Sequence, residues 1–242
     1  MTPFVFLHGF TGSPASWDGV AASLAGARPL RPALLGHGAV EAEDVRSFGD
    51  EVNRLAGAFP REPVHLAGYS LGARLALGIA LAHPERVARL TLVSGQPGLA
   101  DDALRAERRR ADARWCELLE THGIERFVDA WEAQPLFLTQ TKIKPELRAR
   151  HRAERLGHDP NGLARSLRTV GLAEMPNFAP ELACLRVPVV LLAGELDAKF
   201  SALGREMLGR VAHARLALAP NAGHDLLLEA PDLVARELTR QP

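Results

Sequence analysis

Short apolar runs alternate along the chain with longer segments in which apolar residues recur every three or four positions. The short runs predict β-strands, because each is an aliphatic stretch closed by glycine, proline or a polar turn residue. We expect strands at residues 4–7, 30–35, 64–68, 87–93, 187–193 and 216–218. The longer segments predict helices at residues 16–24, 44–59 and 71–83, with Ser16 capping the first. Alternating strands and helices are typical of a mostly parallel, doubly wound α/β sheet.

Residues 96–183 interrupt this alternation. They contain no strand-like run, only helical stretches rich in Arg and Glu with Pro and Gly between them. We therefore predict one α/β core, residues 1–95 and 184–242, carrying a helical cap insertion at 96–183. A chain of 242 residues is long enough for one domain with such an insertion.

Polar motifs follow several of the predicted strands. In a doubly wound sheet, ligands bind beyond the carboxyl ends of the strands, so these motifs are candidates for a shared site. They are His8-Gly9-Phe10, Gly36-His37-Gly38, Gly68-Tyr69-Ser70-Leu71-Gly72, Asp197 and His224.

The motif around Ser70 is a G-x-S-x-G pattern between a predicted strand and a predicted helix, as in a nucleophile elbow. A serine hydroxyl needs a neighbouring base, and that base needs an orienting acid. His224 and Asp197 follow the last two predicted strands and complete the chain order Ser, Asp, His. We predict a catalytic triad of these three residues, with Glu195 and Asp225 as rival acids.

Negative charge that develops near Ser70 needs backbone N–H donors. Leu71 follows the serine and starts a helix, and Phe10 follows His8-Gly9 on the first strand. We expect their N–H groups to form an oxyanion hole.

Arg74 is the only charged residue between Gly68 and His83, one helical turn from Ser70. A buried charge needs an anionic partner. That partner is either a protein carboxylate or the carboxylate of a substrate held beside the serine, and the sequence leaves both open.

These motifs together resemble the α/β-hydrolase superfamily. Residues 7–13, 68–74 and 194–200, together with Gln134-Pro135-Leu136-Phe137 preceded by Trp131, are more narrowly similar to the 2-succinyl-6-hydroxy-2,4-cyclohexadiene-1-carboxylate synthases of menaquinone biosynthesis. The first predicted strand begins at residue 4, so the N-terminal antiparallel strands common in the superfamily are mostly missing, which leaves a reduced N-terminal edge.

The resemblance implies a lyase that eliminates pyruvate, with Ser70 activated by His224 as general base and without metal or organic cofactor. It also implies a set of residues that hold a substrate with several carboxylates. They are Arg74, Arg108, Arg155, Tyr69, Gln134, Trp131 and Phe200. The alternative is a serine hydrolase, either a carboxylesterase or a carbon–carbon bond hydrolase, that uses the same triad.

Composition narrows the partners. Basic and acidic residues balance at 29 each, which argues against nucleic acid or an acidic membrane as partner. Two cysteines and no visible export signal or membrane-spanning run lead us to expect a cytoplasmic protein, monomeric or homodimeric. Only three basic residues, Lys142, Lys144 and Lys199, are lysines. We attribute most of the arginine to codon bias and expect a few arginines to be placed for carboxylate recognition, which arginine suits well.

Overall fold

The computed structural model describes residues 2–24, 26, 28–38 and 42–240. Within these residues the chain forms a five-stranded parallel sheet whose strands lie in sequence order. The strands are β1 (Phe4–Leu7), β2 (Val64–Tyr69), β3 (Val87–Val93), β4 (Val189–Gly194) and β5 (Ala214–Ala219). Five of the six predicted strands are thereby confirmed, with end shifts of about two residues at most.

The predicted strand at residues 30–35 is wrong. Only Leu30 pairs with β1, as an isolated parallel bridge to Val5. Leu30 donates its N–H to Phe4 O and accepts from Phe6 N, and the next donor in a parallel ladder would be residue 32. Pro32 has no N–H, so the pairing stops after one residue. Leu30 nevertheless lies beside β1 on the side opposite to β2. The strand order of the sheet therefore changes direction at β1, which is a topological switch point.

Helices cover both faces of the sheet. Between β1 and β2 lie α1 (Asp18–Ala22) and α2 (Phe48–Gly57), and α3 (Leu71–Ala82) joins β2 to β3. The later helices are α4 (Asp102–Glu132), α5 (Pro145–Leu156), α6 (Pro160–Val170), α7 (Ala198–Leu208), α8 (Leu226–Glu229) and α9 (Pro231–Thr239).

The first predicted helix begins earlier than expected. A 3-10 turn over Pro14–Trp17 precedes α1, and its cap is Ser13, whose side chain accepts from Ala15 N. Pro14 favours this start because its fixed φ suits the first helical position. The expected cap, Ser16, lies inside that turn.

Alternate residues of each strand point to opposite faces. One face packs Val5, Leu66 and Leu191 against α2, α3 and α7, and the other packs Phe6, Ala67 and Val190 against α1, α8 and α9. Both faces are therefore buried, and the carboxyl ends of the strands remain as the place for a site.

Residues 96–183, all of which the structure describes, contain α4, α5 and α6 and no strand. Their own apolar cluster includes Cys116, Phe127 and Leu163. The insertion leaves and rejoins the core at one stem, because Phe178 N donates to Pro97 O at 2.7 Å. Residues 1, 241 and 242, which bound the expected core segments, lie outside the described residues.

Candidate active site

Ser70 lies at a sharp turn between β2 and α3. Its φ of 51° and ψ of −105° place a non-glycine residue in a sparsely populated region, as at a nucleophile elbow. A Cβ on Gly68 would lie 2.2 Å from Gly72 O, and one on Gly72 would lie 2.2 Å from Leu7 O. Both glycines are therefore required for the strand and helix to approach closely.

Three side chains form a hydrogen-bonded chain at this turn. His224 Nε2 is 3.1 Å from Ser70 Oγ, and His224 Nδ1 is 2.8 Å from Asp197 Oδ2. Asp197 Oδ1 accepts from Phe200 N at the start of α7, which fixes the carboxylate. His224 therefore donates from Nδ1 to Asp197 and presents Nε2 to accept the serine proton.

Neither rival acid contacts the imidazole of His224. Glu195 is exposed and, among the described residues, accepts from Asn221 N alone, at 3.4 Å. Asp225 accepts from Leu228 N at the start of α8 and lies 3.6 Å from His151 Nε2. The geometry therefore favours Asp197 over both.

Phe10 and Leu71 line the same cavity as Ser70. A Cβ on Gly9 would lie 3.6 Å from Ser70 Cβ, so the chain just before Phe10 runs beside the serine. Among the described residues, neither the N–H of Phe10 nor that of Leu71 donates to a protein acceptor. Both N–H groups are thus free to donate hydrogen bonds to a negatively charged oxygen of a ligand.

The cavity has a volume of about 290 Å³ and lies between the sheet and the insertion. Every residue predicted to bind substrate lines it. They are Tyr69, Arg74, Arg108, Trp131, Gln134, Arg155 and Phe200. Burial raises the pKa of the Tyr69 phenol well above its usual range, so this hydroxyl remains a neutral donor.

Arg74 is 9% exposed and donates to Val170 O at 3.2 Å. Within the described part of the chain, no carboxylate lies within 4.0 Å of its guanidinium. Burial, reinforced by Arg108 and opposed by Asp112, lowers the pKa of Arg74 to about 9. Arg74 therefore faces the cavity as a charged group with no carboxylate in contact among the described residues, since Asp112 is paired with Arg108.

Comparisons with known proteins agree with this geometry. A model described as "Alpha/beta hydrolase family" matches residues 4–237. A 2-succinyl-6-hydroxy-2,4-cyclohexadiene-1-carboxylate (SHCHC) synthase from Enterobacter sp. (strain 638) is 33% identical over 235 residues, covering 96% of this chain and 88% of the relative. A Bacillus subtilis (strain 168) relative, provisionally named as the same synthase, is 37% identical over 238 residues, covering 96% and 87%. The chain belongs to the α/β-hydrolase family and, within it, to the SHCHC synthases.

The solved structure of MenH from S. aureus has a TM-score of 0.94 at 30% identity, covering 98% of this chain and 91% of that one. The expected α/β-hydrolase fold is thereby confirmed. Among the described residues of this SHCHC synthase family member, no group of three or more His, Cys, Asp or Glu is placed to hold a metal ion. No helix in the same residues is long and apolar enough to cross a membrane.

The other arginines of this family member are placed differently from Arg74. Arg108 Nε donates to both oxygens of Asp112, at 2.9 and 3.0 Å. Arg155 is buried, pairs with Glu132 at 2.8 Å and lies 5.2 Å from the centroid of the Phe137 ring.

Arg105, which stands at helical spacing from Arg108, does not line the cavity. Its guanidinium donates to the carbonyls of Leu99, Ala173 and Met175. It therefore ties the start of α4 to the segment after α6, and we assign it a structural role.

Sequence reasoning missed several polar residues that line the cavity, among them Lys199, His151 and Ser166. Lys199 had a usable signal, because it lies two residues after Asp197, in the first turn of the helix that follows β4. His151 and Ser166 lie on α5 and α6, where only the packing of the insertion onto the core shows which side chains face the site.

Proposed function

We propose that this protein eliminates pyruvate from 2-succinyl-5-enolpyruvyl-6-hydroxy-3-cyclohexene-1-carboxylate to give SHCHC. The observation that carries the proposal is Arg74, a buried cation that faces the same cavity as the triad and has no carboxylate partner among the described residues. Burying an unpaired charge is costly, and a substrate that brings its own carboxylates supplies the partner. A neutral ester gives this residue no role.

The triad supplies the base. Ser70 Oγ accepts the proton next to the succinyl carbonyl while its own proton passes to Nε2 of His224, and Asp197 stabilises the imidazolium. The electron pair of the broken C–H bond is held first as the enolate of the succinyl carbonyl. When this enolate collapses, a double bond forms between C2 and C3, the ring double bond moves from C3–C4 to C4–C5, and the C5–O bond to the enolpyruvyl group breaks. The leaving pyruvate enolate takes up, at its methylene carbon, the proton held by the His224 imidazolium and becomes pyruvate.

The N–H groups of Phe10 and Leu71 stabilise the enolate oxygen that forms when the proton leaves. Both are fixed before the reaction, by the loop after β1 and by the start of α3, so they need no reorganisation as charge develops. We assign them this role because both line the cavity beside Ser70 and neither has a protein acceptor among the described residues.

Residues 96–183 act in this proposal as a cap over the core of residues 1–95 and 184–242. Arg108 and Arg155 reach the cavity from the cap, and Arg74 reaches it from the core. Cations on both sides suit a substrate whose carboxylates point in different directions. Tyr69, Trp131, Gln134 and Phe200 complete the walls, and we place the reaction in the cytoplasm.

The test is a direct assay of pyruvate release, coupled to lactate dehydrogenase, with p-nitrophenyl butyrate hydrolysis measured in parallel. We expect pyruvate release that depends on the elimination substrate and is lost in Ser70→Ala. Brisk ester cleavage without pyruvate release would overturn the lyase proposal. That result would favour the hydrolase alternative, which the nucleophile-like elbow of Ser70 also accommodates.

A further inference from the structure

Thr11 directly follows the proposed oxyanion donor Phe10 and has an unusual backbone. Its φ is 64°, in the left-handed region that non-glycine residues rarely adopt. The residue is buried, and its backbone N–H and carbonyl groups are each hydrogen-bonded to a histidine. Its N–H donates to His37 Nε2 at 3.1 Å, and its carbonyl accepts from His158 Nε2 at 3.2 Å.

The hydrogen-bond partners fix which ring nitrogen carries each proton. His37 Nδ1 lies 3.0 Å from Leu35 O and must donate to it, which leaves Nε2 as the acceptor for Thr11 N–H. His158 faces a carbonyl and must therefore carry its proton on Nε2. Both rings are held edge to face, with centroids 5.2 Å apart. The strained conformation of Thr11 is thus determined from two directions.

The two histidines come from different parts of the fold. His37 belongs to the core loop after Leu30, whereas His158 lies in the insertion, in the turn between α5 and α6. One turn earlier, Glu154 accepts hydrogen bonds from Ser13 and Ser16. The insertion therefore contacts the loop after β1 through Glu154, through His158, and through Phe127 and Trp131, whose ring centroids lie 6.3 and 5.2 Å from that of Phe10. The aromatic contacts are to the Phe10 side chain, whereas His158 holds the backbone of the next residue.

We propose that His158 is a positioning residue for the oxyanion hole. By holding the Thr11 carbonyl, it keeps the Phe10 N–H aimed at the reacting oxygen, so the oxyanion hole is complete only when the insertion is docked. This inference rests on the proposed function for the role of Phe10. It assigns His158 no contact with substrate, and His158 does not line the cavity.

The test compares His158→Leu, which removes the donor, with His158→Gln, whose amide nitrogen restores a donor at similar reach. Loss of a whole oxyanion donor lowers kcat about 100- to 1000-fold, and a displaced donor costs less. We expect His158→Leu to lower kcat about 10- to 100-fold with KM changed less than about threefold, and His158→Gln to recover most of the rate. The exposed His122 on α4 provides the matched control, His122→Leu.

Two results would overturn the inference: kcat of His158→Leu within about twofold of the parent, or a loss that His158→Gln leaves unrestored. Its failure is separable from failure of the proposed function, because the same comparison is made on ester hydrolysis if no pyruvate is released. A crystal structure of His158→Leu decides the matter without any assay. We expect Thr11 to leave the left-handed region, and an unchanged loop over residues 9–11 would contradict the inference.

Discussion

Arg74→Met separates the demands of stability from those of function at one position. The substitution replaces a buried, charged side chain on α3 with a flexible apolar one of similar length. We expect the variant to be more stable than the parent protein and far less active on the polycarboxylate substrate. A purely structural arginine would give the opposite result for stability.

The magnitude follows from the position of the guanidinium. Burial lowers the pKa of Arg74 from 12.5 to about 9, and each unit corresponds to about 1.4 kcal/mol. At pH 7, below both values, folded and unfolded chains are both protonated, so the folded state carries the whole penalty, on the order of 5 kcal/mol. The lost hydrogen bond to Val170 O offsets about 1 kcal/mol.

Replacing a buried ion pair with apolar residues is often neutral or stabilises a protein by about 1–4 kcal/mol. Because Arg74 lacks even the partner charge that would offset its burial, we expect a stabilisation of about 2 kcal/mol here. For a chain of this size that raises Tm by roughly 4–8 °C. The loss of a charge-assisted, bidentate contact to a carboxylate costs about 3–4 kcal/mol, or roughly 100- to 1000-fold in kcat/KM. Hydrolysis of a neutral ester, if the parent shows any, is expected to change less than about threefold.

The assays are thermal and urea denaturation at pH 7 and coupled pyruvate release. Leu77→Met, a change of similar volume in the same helix that leaves the charge in place, is the matched control. A variant that melts several degrees lower and keeps its pyruvate release within tenfold of the parent would refute the reasoning. Arg74 would then be held by the protein rather than kept for a ligand.

Two further predictions address the triad and the buried histidines. Asp197→Asn is expected to lower kcat about 1000-fold or more, because the imidazole of His224 loses its orienting acceptor. Glu195→Gln, the same change at the exposed rival acid, is expected to keep the rate. A nearly full rate for Asp197→Asn in the pyruvate assay would show that the acid is wrongly assigned. Burial lowers the pKa of His8 to about 4 and that of His65 to about 3, from 6.5, so below pH 6.5 the unfolded chain binds protons that the folded chain does not. Each of these histidines then lowers the free energy of unfolding by about 1.4 kcal/mol per pH unit down to about pH 4, and equal urea midpoints at pH 7 and pH 5 would contradict this expectation.

The triad could be predicted from sequence because its three residues follow parallel strands, whose carboxyl ends meet at one edge of the sheet. The position of Ser70 between two glycines carried the same information locally. The prediction of a strand at residues 30–35 failed because it relied on the aliphatic composition of the segment. Pro32 has no N–H to donate, and this ends the pairing with β1 after Leu30. Local composition predicts a strand, but backbone hydrogen bonds determine whether it joins a sheet.

The arginines show the other limit. Arg74, Arg108 and Arg155 were all plausible carboxylate ligands in the sequence, yet the structure gives them different kinds of partner. Arg108 and Arg155 bind carboxylates of the insertion, whereas Arg74 binds one carbonyl and no carboxylate among the described residues. These partners lie far away in the chain or on neighbouring helical turns, so spacing alone cannot distinguish an arginine held by the protein from one left for a ligand.

The stem at Pro97 and Phe178 has a consequence for how the inserted segment can evolve. The two chain segments there are hydrogen-bonded neighbours, so the core closes the same gap whatever is inserted between them. The entropy of closing a loop grows only slowly with its length, so we expect a longer or shorter helical segment to be tolerated there without displacing β3 or β4. The residues of this segment that line the cavity can then change without disturbing the hydrogen-bonded arrangement of Ser70, His224 and Asp197 in the core.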